Sequence, residues 1–346
     1  MAAVGVRLIS SIDRVSVVGG TEAVGRLPAL LRTFRTLDRH LREARPRALV
    51  LIDFPEFNLC LARRARALGI PVVYFIAPQV WAWRRGRVRG IARNVSRVLA
   101  VFPFEVSLYQ EAGVPVEFVG HPILDALPML GRDAARAGLA ADGQVLIGLL
   151  PGSRGAEIGR HLPVLLGAAG RIAQEVAGVR FAMPLAVASP AAAVDAAVAA
   201  VGRARGVPEG AIRVLPDESY RVMAAADLLL VASGTATLEA ACYGTPMVVL
   251  YRLSALSYGL ARLLVRGVSH ISLPNIIAGY GVVPELIQRR ATAERVARAA
   301  LTLLEDGAAR TAQRAVLREV RSRLGEPGAG ERAARAVLRE MNGTRA

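Results

Sequence analysis

The sequence predicts an α/β protein made of two doubly wound domains with a cleft between them. Short apolar runs recur along the 346-residue chain, and amphipathic helical segments separate them. Continuous apolar strands that alternate with helices are typical of parallel sheets covered on both faces. A polar, glycine-bearing stretch at residues 130–144 divides the runs into two series. We therefore predict an N-terminal domain at residues 1–143 and a C-terminal domain at residues 144–346.

The predicted strands follow one another along the chain, with helical patterns such as FNLCLARRARALG between them. The first series is expected at residues 47–54, 71–76, 97–102 and 116–119. The second series is expected at residues 145–150, 179–184, 212–215, 226–232 and 246–251. The tail from about residue 292 to residue 341 is rich in arginine, alanine and leucine and predicts further helices.

Composition narrows the possible classes of function. The formal net charge is +16, every basic residue is arginine, and aromatic residues make up only 5% of the chain. Nucleic-acid binders usually cluster their charge among aromatic residues, so that class is disfavoured, whereas attraction to anionic lipid stays open. Cys60 and Cys242 lack disulfide or zinc spacing and are expected to be small core residues. The sequence predicts neither a signal peptide nor a transmembrane helix.

Three loops of the C-terminal domain resemble anion sites. In doubly wound sheets, ligands lie at the carboxyl ends of the strands, where helix N-termini point toward the ligand. LLPGSRGAE offers a close backbone approach at Gly152, a hydroxyl at Ser153 and a planar cation at Arg154. ASGTAT, residues 232–237, begins another helix, and residues 272–288 precede a third. Together the loops predict a diphosphate site, although each alone is also typical of a helix cap.

Glu239 follows the ASGTAT loop, in which Ser233, Gly234 and Thr235 are the predicted anion-binding residues. It has no capping-box partner, because Ala236 stands three residues before it. A carboxylate one helical turn beyond a phosphate site can accept hydrogen bonds from two ribose hydroxyls. A solvated surface Glu favoured by the helix dipole is the alternative.

Motifs of other nucleotide-binding classes are missing from the sequence. It contains no Walker A motif and no GxGxxG after a strand, which disfavours P-loop NTPases and Rossmann dehydrogenases. It also contains no Asp-x-Asp, which argues against a metal-held diphosphate. We therefore expect no metal and no cofactor, with Arg154, Arg252 and helix dipoles stabilising the phosphates.

The N-terminal domain supplies candidates for acid–base chemistry. Asp53 ends a predicted strand, and Glu56 begins the next helix after Pro55. A carboxylate at the carboxyl end of a strand is a candidate general base, although Asp also caps helices and Glu favours their first turn. His121, near the domain junction, is a further candidate that faces the cleft or has a structural role.

Two tryptophans stand among arginines in the segment APQVWAWRRGRVRGIARN. Trp81 and Trp83 are followed by Arg84, Arg85, Arg87 and Arg89. This pattern fits an acyl-bearing, phosphorylated partner or a membrane interface. A helix with one solvated basic face would have a similar sequence.

The chain resembles lipid-A-disaccharide synthases from about Ser16 to its end. The shared segments occur in the family's order and at comparable spacing; they are IDFPEFNLCLARRAR, YFIAPQVWAWRRGRV, FPFE, GVPVEFVGHPILD, LLPGSRGAEI, ASGTATLEAACYGTPMVVLYR and SLPNIIAG…VPELIQ. The Trp-Ala-Trp-Arg and Pro-Gly-Ser-Arg-Gly-Ala-Glu segments are the most specific of these.

The resemblance implies a glycosyltransferase B fold, with UDP held mainly by the C-terminal domain. It implies that UDP-2,3-diacylglucosamine is joined to 2,3-diacylglucosamine 1-phosphate, giving the β-1,6-linked disaccharide 1-phosphate of lipid A and UDP. The family works in the cytoplasm as a peripheral protein on the inner face of the bacterial inner membrane. A single displacement with inversion is expected, with departing UDP stabilised without metal.

The resemblance also carries residue roles. Asp53 matches the family's candidate catalytic Asp, Arg154 an Arg that looks essential, and Asn275 the Asn of a Leu-Pro-Asn motif. Glu56 and His121 are alternatives to Asp53 as the base that takes the proton of the acceptor's 6-hydroxyl. The expected nucleotide-binding residues are Gly152, Ser153, Arg154, Glu157, Ser233, Gly234, Thr235, Glu239, Arg252, Asn275 and Glu285.

The start of the chain departs from the family pattern. Family members begin with a strand and a loop of the form Ala-Gly-Glu-x-Ser-Gly-Asp, and nothing like it precedes DRVSVVGGTEAVGRLP here. We therefore expect a missing strand-loop-helix unit and poor sugar transfer by residues 1–346. Two rival functions remain, namely another UDP-sugar transferase or epimerase of the same fold, and a non-enzymatic membrane or nucleic-acid binder.

Overall fold

Parallel β-strands form the centre of each of two units of the chain. The computed structural model describes residues 4–10, 20–78, 80, 87–185, 191–254, 258–259 and 269–343. One compact unit comprises Met1–Gly120 with Gly328–Ala346, and the other comprises His121–Pro327.

The elements alternate between strand and helix along most of the chain. The strands are β1 (Leu49–Ile52), β2 (Val72–Phe75), β3 (Arg97–Ala100), β4 (Val116–Phe118), β5 (Leu146–Leu150), β6 (Arg180–Leu185), β7 (Ile212–Pro216), β8 (Leu228–Ala232), β9 (Met247–Tyr251) and β10 (Glu285–Ile287). The helices are α1 (Gly20–Ala44), α2 (Pro55–Ala67), α3 (Arg87–Asn94), α4 (Phe104–Glu111), α5 (Ile123–Ala126), α6 (Arg132–Arg136), α7 (Gly155–Glu175), α8 (Ala191–Ala204), α9 (Ser219–Ala225), α10 (Thr235–Cys242), α11 (Leu273–Ala278), α12 (Ala293–Glu305), α13 (Gly307–Arg323) and α14 (Ala329–Gly343).

The first unit contains a four-stranded parallel sheet in the order β1-β2-β3-β4. The C-terminal helix α14 belongs to this unit because Ala333 and Ala336 pack against Val73, Leu99 and Val119. Ion pairs between Arg97 and Glu340 and between Arg339 and Glu117 add to this packing.

The second unit contains a six-stranded parallel sheet in the order β10-β9-β8-β5-β6-β7. Strands β5 and β8 are buried along their whole length, as the continuous apolar runs predict. Their side chains join a core with the helices α7 and α12, which includes Leu149, Leu165, Leu230 and Val296.

The division into units does not coincide with the predicted boundary between residues 143 and 144. Residues 121–143 lie in the second unit because α6 is anchored there, with Arg136 donating to Asp227 at 3.1 Å and Arg221 donating to the Ala135 carbonyl at 2.9 Å. The polar stretch at residues 130–144 is therefore part of a packed unit rather than a linker.

The α/β class, the parallel sheets and every predicted strand are confirmed, as are the helices of the C-terminal tail. The short strand β10 was missed, because three residues that include Glu285 do not form an apolar run. Cys242 is buried as expected and Cys60 is half-buried, and both are free thiols. Trp81, Trp83, Arg84 and Arg85 lie outside the described residues, whereas Arg87 and Arg89 lie on α3.

Candidate functional site

A cavity lies at the carboxyl ends of the central strands in the second unit. The chain leaves β5 toward β6 and β7, and later adds β8 on the opposite side of β5, so the direction of strand addition reverses between β5 and β8. Ligands of open α/β sheets bind at such a reversal. The cavity there has a volume of about 420 Å³, and we call it the β5–β8 cavity.

Most of the predicted nucleotide-binding residues line this cavity. They come from the loop after β5, the start of α7, the loop after β8 and the first turns of α10, and they are Gly152, Ser153, Arg154, Glu157, Ser233, Gly234, Thr235 and Glu239. Ser219, Met223 and Tyr251 also line the cavity. Two loops that the sequence separates by about eighty residues are thus brought together, because the strands that carry them are neighbours.

The loop after β5 depends on a glycine. Gly152 has a φ of 112°, in a region that favours glycine. A Cβ atom at this position would approach Oε2 of Glu157 to 2.8 Å. Arg154 donates to Oε1 of Glu157 at 3.2 Å, and the Arg154 side chain remains 57% exposed. The guanidinium is therefore oriented by Glu157 while most of it stays accessible at the start of α7.

The loop after β8 leads directly into the 8-residue helix α10. The N-cap residue Gly234 offers no side-chain hydrogen bond to this helix, and the N-cap residue Arg154 offers none to α7. First-turn amides without such caps and the positive ends of two helix dipoles favour an anion at this place. The site therefore has the geometry that an anionic group such as phosphate requires.

Glu239 lies on the cavity side of α10 and is half-buried. The Tyr220 hydroxyl donates to its Oε1 at 3.3 Å. Burial raises the pKa of Glu239 above its ordinary value, and the bond from Tyr220 opposes this shift. The sequence predicted the position of Glu239 but not Tyr220, whose segment ESYRV carries no motif.

Residues 272–288, the third loop that the sequence predicted as an anion site, form an internal hydrogen-bond network instead of lining the cavity. Asn275 is buried and uses its whole amide, with Nδ2 donating to the Val283 carbonyl and to Oε1 of Glu285, and Oδ1 accepting from the amides of Val282 and Val283. Oε1 of Glu285 also accepts from the Ser272 hydroxyl at 2.6 Å. Asn275 and Glu285 therefore brace residues 271–285, and their predicted contact with nucleotide stays a prediction.

This braced segment supports the loop after β8. The Ser233 hydroxyl donates to the Ile271 carbonyl at 3.1 Å, and the Ile271 amide donates to Oε2 of Glu285 at 3.1 Å. Glu285 thus acts on the cavity through Ile271 and Ser233. The hydroxyl of Ser233 retains lone pairs for a further hydrogen bond.

Arg252 follows the cavity residue Tyr251, but the structure does not place Arg252 in the cavity lining. Its side chain is exposed, and its backbone amide donates to Nε2 of His161 at 3.0 Å. The sequence did not predict a role for His161, since a single histidine among apolar helix residues carries no functional signal. The predicted contact of Arg252 with diphosphate stays a prediction.

Asp53 lies just after β1 in the first unit, as predicted, and is exposed. Asp53 and Phe54 have φ values of 47° and 45°, an uncommon left-handed conformation for two consecutive residues that are not glycine. The Asp53 carbonyl accepts from Nδ2 of Asn58 at 2.6 Å and from the buried Tyr74 hydroxyl at 2.8 Å. These two donors hold the strained turn and were not predicted.

Glu56 and His121, the two alternatives to Asp53 as general base, lie in surroundings that differ from those of Asp53. Glu56 lies in the first turn of α2 and pairs with Arg87 at 2.7 Å. His121 belongs to the second unit, but it is not among the residues that line the β5–β8 cavity. Nδ1 of His121 accepts from the Ile123 amide at 3.1 Å, and burial lowers the pKa of His121 to about 4.

The described ranges contain neither a metal-binding cluster nor a membrane-spanning helix. In those ranges, no three or more His, Cys, Asp or Glu side chains are grouped in a way that could hold a metal ion. No helix built from the described residues combines the length and the apolar character needed to cross a bilayer.

Solved structures of similar fold cover most of the chain. A putative UDP-N-acetylglucosamine 2-epimerase from Listeria monocytogenes aligns with a TM-score of 0.60 at 13% identity, over 92% of this chain and 79% of that chain. MurG from Acinetobacter baumannii aligns with a TM-score of 0.54 at 17% identity, over 89% of this chain and 78% of that chain. These similarities show the glycosyltransferase B fold.

Sequence comparison gives closer relatives. Lipid-A-disaccharide synthase from Nitrosococcus oceani is 44% identical over 327 residues, which are 94% of this chain and 82% of the relative. The enzyme of the same name from Anaeromyxobacter dehalogenans strain 2CP-1 is 44% identical over 323 residues, which are 93% of this chain and 82% of the relative. Residues 1–339 match the family described as lipid-A-disaccharide synthetase. The chain therefore belongs to the lipid-A-disaccharide synthetase family, the glycosyltransferases that make the disaccharide of lipid A.

Proposed function

We propose that the chain transfers 2,3-diacylglucosamine from UDP to the 6-hydroxyl of 2,3-diacylglucosamine 1-phosphate, releasing UDP. The observation that carries this proposal is the β5–β8 cavity, in which two uncapped helix starts, Arg154 and Glu239 lie around one space. Its volume of about 420 Å³ falls in the range of about 300–1,000 Å³ that is usual for small-molecule sites.

Each part of UDP has a chemically suitable partner in this proposal. The diphosphate binds at the starts of α7 and α10, where backbone amides, helix dipoles and Arg154 favour negative charge. Arg252 adds a second cation. Glu239 accepts hydrogen bonds from the ribose hydroxyls, as acidic residues of dinucleotide-binding folds do. A solved structure of similar fold, S. aureus MnaA, was determined with UDP; it aligns with a TM-score of 0.59 at 13% identity.

The proposed chemistry is a single displacement with inversion at the anomeric carbon. Asp53 takes the proton from the acceptor's 6-hydroxyl while that oxygen attacks the anomeric carbon and the bond to UDP breaks. Negative charge grows on the departing diphosphate, and Arg154, Arg252 and the start of α10 stabilise it. No metal takes part in this scheme. The strained turn at Asp53 supports its choice as base, because such strain clusters at functional residues.

The diacylated substrates suggest where the enzyme works. Their acyl chains reside in a membrane, so we propose peripheral binding to the anionic inner face of the bacterial inner membrane. The net charge of +16 supports attraction to such a surface. Vesicles with anionic lipid should bind the protein and neutral vesicles should not, and binding should weaken as salt is added.

Product analysis tests the proposed reaction. The chain is incubated with UDP-2,3-diacylglucosamine and 2,3-diacylglucosamine 1-phosphate, with and without EDTA, and products are identified by mass spectrometry. We expect a disaccharide 1-phosphate and UDP in equal amounts, at the low yield expected for residues 1–346 and unchanged by EDTA. Conversion of the UDP-sugar without the acceptor would instead indicate an epimerase. Loss of product with EDTA would contradict the metal-free scheme, and the absence of both products would contradict the proposed reaction.

A further inference from the structure

His161 connects the loop after β5, which lines the β5–β8 cavity, with the segment that follows the cavity residue Tyr251. It lies on α7 and has no solvent-exposed surface. Its Nδ1 is 2.8 Å from the carbonyl oxygen of Pro151, at the start of the loop after β5. Its Nε2 is 3.0 Å from the backbone nitrogen of Arg252, just after β9.

These partners fix the protonation state of the ring. The Arg252 amide can only donate, so Nε2 must accept and carries no proton. The Pro151 carbonyl can only accept, so Nδ1 must carry the proton. A neutral imidazole with its proton on Nδ1 satisfies both bonds. A second proton on Nε2 would face the N–H of Arg252 and break that bond.

The two connected segments are not adjacent in the sheet. Strand β8 lies between β5 and β9, so the imidazole joins the segments on either side of the loop after β8. Pro151 precedes Gly152, Ser153 and Arg154, and Arg252 follows Tyr251. One side chain thereby sets the distance between the loop that carries Arg154 and the segment that carries Arg252.

We propose that His161 is a positioning residue of the donor site, whose neutral imidazole holds the Arg154 loop and the Arg252 segment at the separation that one nucleotide diphosphate requires. This inference rests on the proposed binding of UDP in the β5–β8 cavity. His161 does not line the cavity and acts only through its two backbone partners.

The surroundings of the ring favour its neutral form. Burial lowers the pKa of His161 below its ordinary value, and Arg160 on the same helix acts in the same direction. Glu157 on α7 and the Pro151 carbonyl act in the opposite direction. The Tyr251 ring lies on the β9 side, with its centroid 5.7 Å from that of the imidazole.

Three substitutions separate the two hydrogen bonds. His161→Phe keeps a ring and removes both bonds. His161→Asn places an amide nitrogen near the position of Nδ1 and can retain the Pro151 bond. His161→Gln places an amide oxygen near the position of Nε2 and can retain the Arg252 bond. His40→Phe, on α1 of the first unit, is the control for loss of a histidine.

The measurements are the Kd of UDP by calorimetry, KM and kcat for the UDP-sugar donor, and the melting temperature. We expect His161→Phe to raise the Kd and KM about tenfold with little change in kcat, because the lost geometry serves binding. His161→Asn and His161→Gln should give intermediate values, and His40→Phe should bind UDP like the unmodified protein. If His161→Phe does not fold, the Asn and Gln variants carry the test by the same criterion, a raised Kd.

The outcomes distinguish this inference from a purely structural role and from failure of the proposed function. A lowered melting temperature with a Kd for UDP within about twofold of the unmodified protein would make His161 a core residue only. A Kd that rises equally in all three variants would overturn the two-bond explanation. If the unmodified protein does not bind UDP, the proposed function itself fails, and His161 is not responsible.

Discussion

The Tyr220 hydroxyl donates a hydrogen bond to Oε1 of Glu239 over 3.3 Å, on the edge of the β5–β8 cavity. The bond comes from α9 to α10, so it orients the carboxylate from a neighbouring helix. It leaves the second oxygen of Glu239 available to another donor. A carboxylate held in this way suits the recognition of a pair of hydroxyl groups.

Replacing Glu239 by Ala should weaken UDP binding and leave the fold intact. The loss of charge-assisted hydrogen bonds is expected to cost about 1.5–3 kcal/mol of binding free energy, measured by calorimetry. Glu294→Ala is a matched control, because Glu294 is an exposed helix residue that pairs with Arg298. An unchanged UDP affinity in the Glu239 variant would contradict the ribose assignment.

Replacing Tyr220 by Phe should make UDP binding more sensitive to acid. The Tyr220 bond lowers the pKa of Glu239, so its removal raises that pKa further and the carboxylate becomes protonated at a higher pH. The ratio of the two Kd values, variant over unmodified protein, should therefore rise as the pH falls toward the raised pKa. The ratio cancels the titration of the ligand's own phosphate. A ratio that does not change with pH would show that Tyr220 has no influence on Glu239.

Replacing Gly152 by Ala should disturb the loop after β5. The φ of 112° disfavours a side chain, and the added Cβ would meet Glu157 at 2.8 Å. We expect a loss of about 1–3 kcal/mol in the free energy of unfolding, measured with urea, together with weaker UDP binding. Gly155→Ala is the control, since its Cβ would meet no atom within 4 Å and its φ is not positive. Equal effects of the two substitutions would refute this account of Gly152.

Replacing Asp53 by Asn should lower turnover by about 10²–10⁴ while UDP affinity stays nearly constant, because removing a general base impairs chemistry rather than donor binding. Glu56→Gln is the comparison and should have the smaller effect, since Glu56 is paired with Arg87. Steady-state kinetics and calorimetry measure both quantities. If Glu56→Gln were the more damaging change, the base would be Glu56.

Replacing Asn58 by Ala should lower turnover without changing UDP affinity. The variant removes the 2.6 Å bond to the Asp53 carbonyl, which frees a strained turn to relax and moves the Asp53 carboxylate. We expect kcat to fall about ten- to hundredfold. Asn94→Ala is the control, because Asn94 also donates to a backbone carbonyl, that of Gly90 on α3. Full turnover in the Asn58 variant would show that this bond does not position Asp53.

The local sequence was sufficient to predict most of the framework. Strands such as β5 and β8 are buried on both faces, so their continuous apolar runs stand out without any long-range information. Loops rich in small polar residues marked the carboxyl ends of those strands, and Glu239 was located by its distance from the start of α10. Glu239 and the residues of the two loops that line the β5–β8 cavity were predictable for this reason.

Tertiary structure alone decided which partners each candidate site residue has. The bonds from Tyr220 to Glu239 and from Asn58 to the Asp53 carbonyl depend on helix packing and on backbone torsion angles that propensities do not encode. His161 gains its role because β8 separates β5 from β9 in the sheet, which the order of residues along the chain does not reveal. Asn275 donates a hydrogen bond to Glu285 in the structure, although their sequence segments look like an open loop. A sequence records which chemical groups are present, whereas hydrogen bonds between distant segments exist only after the fold has fixed their distances and directions.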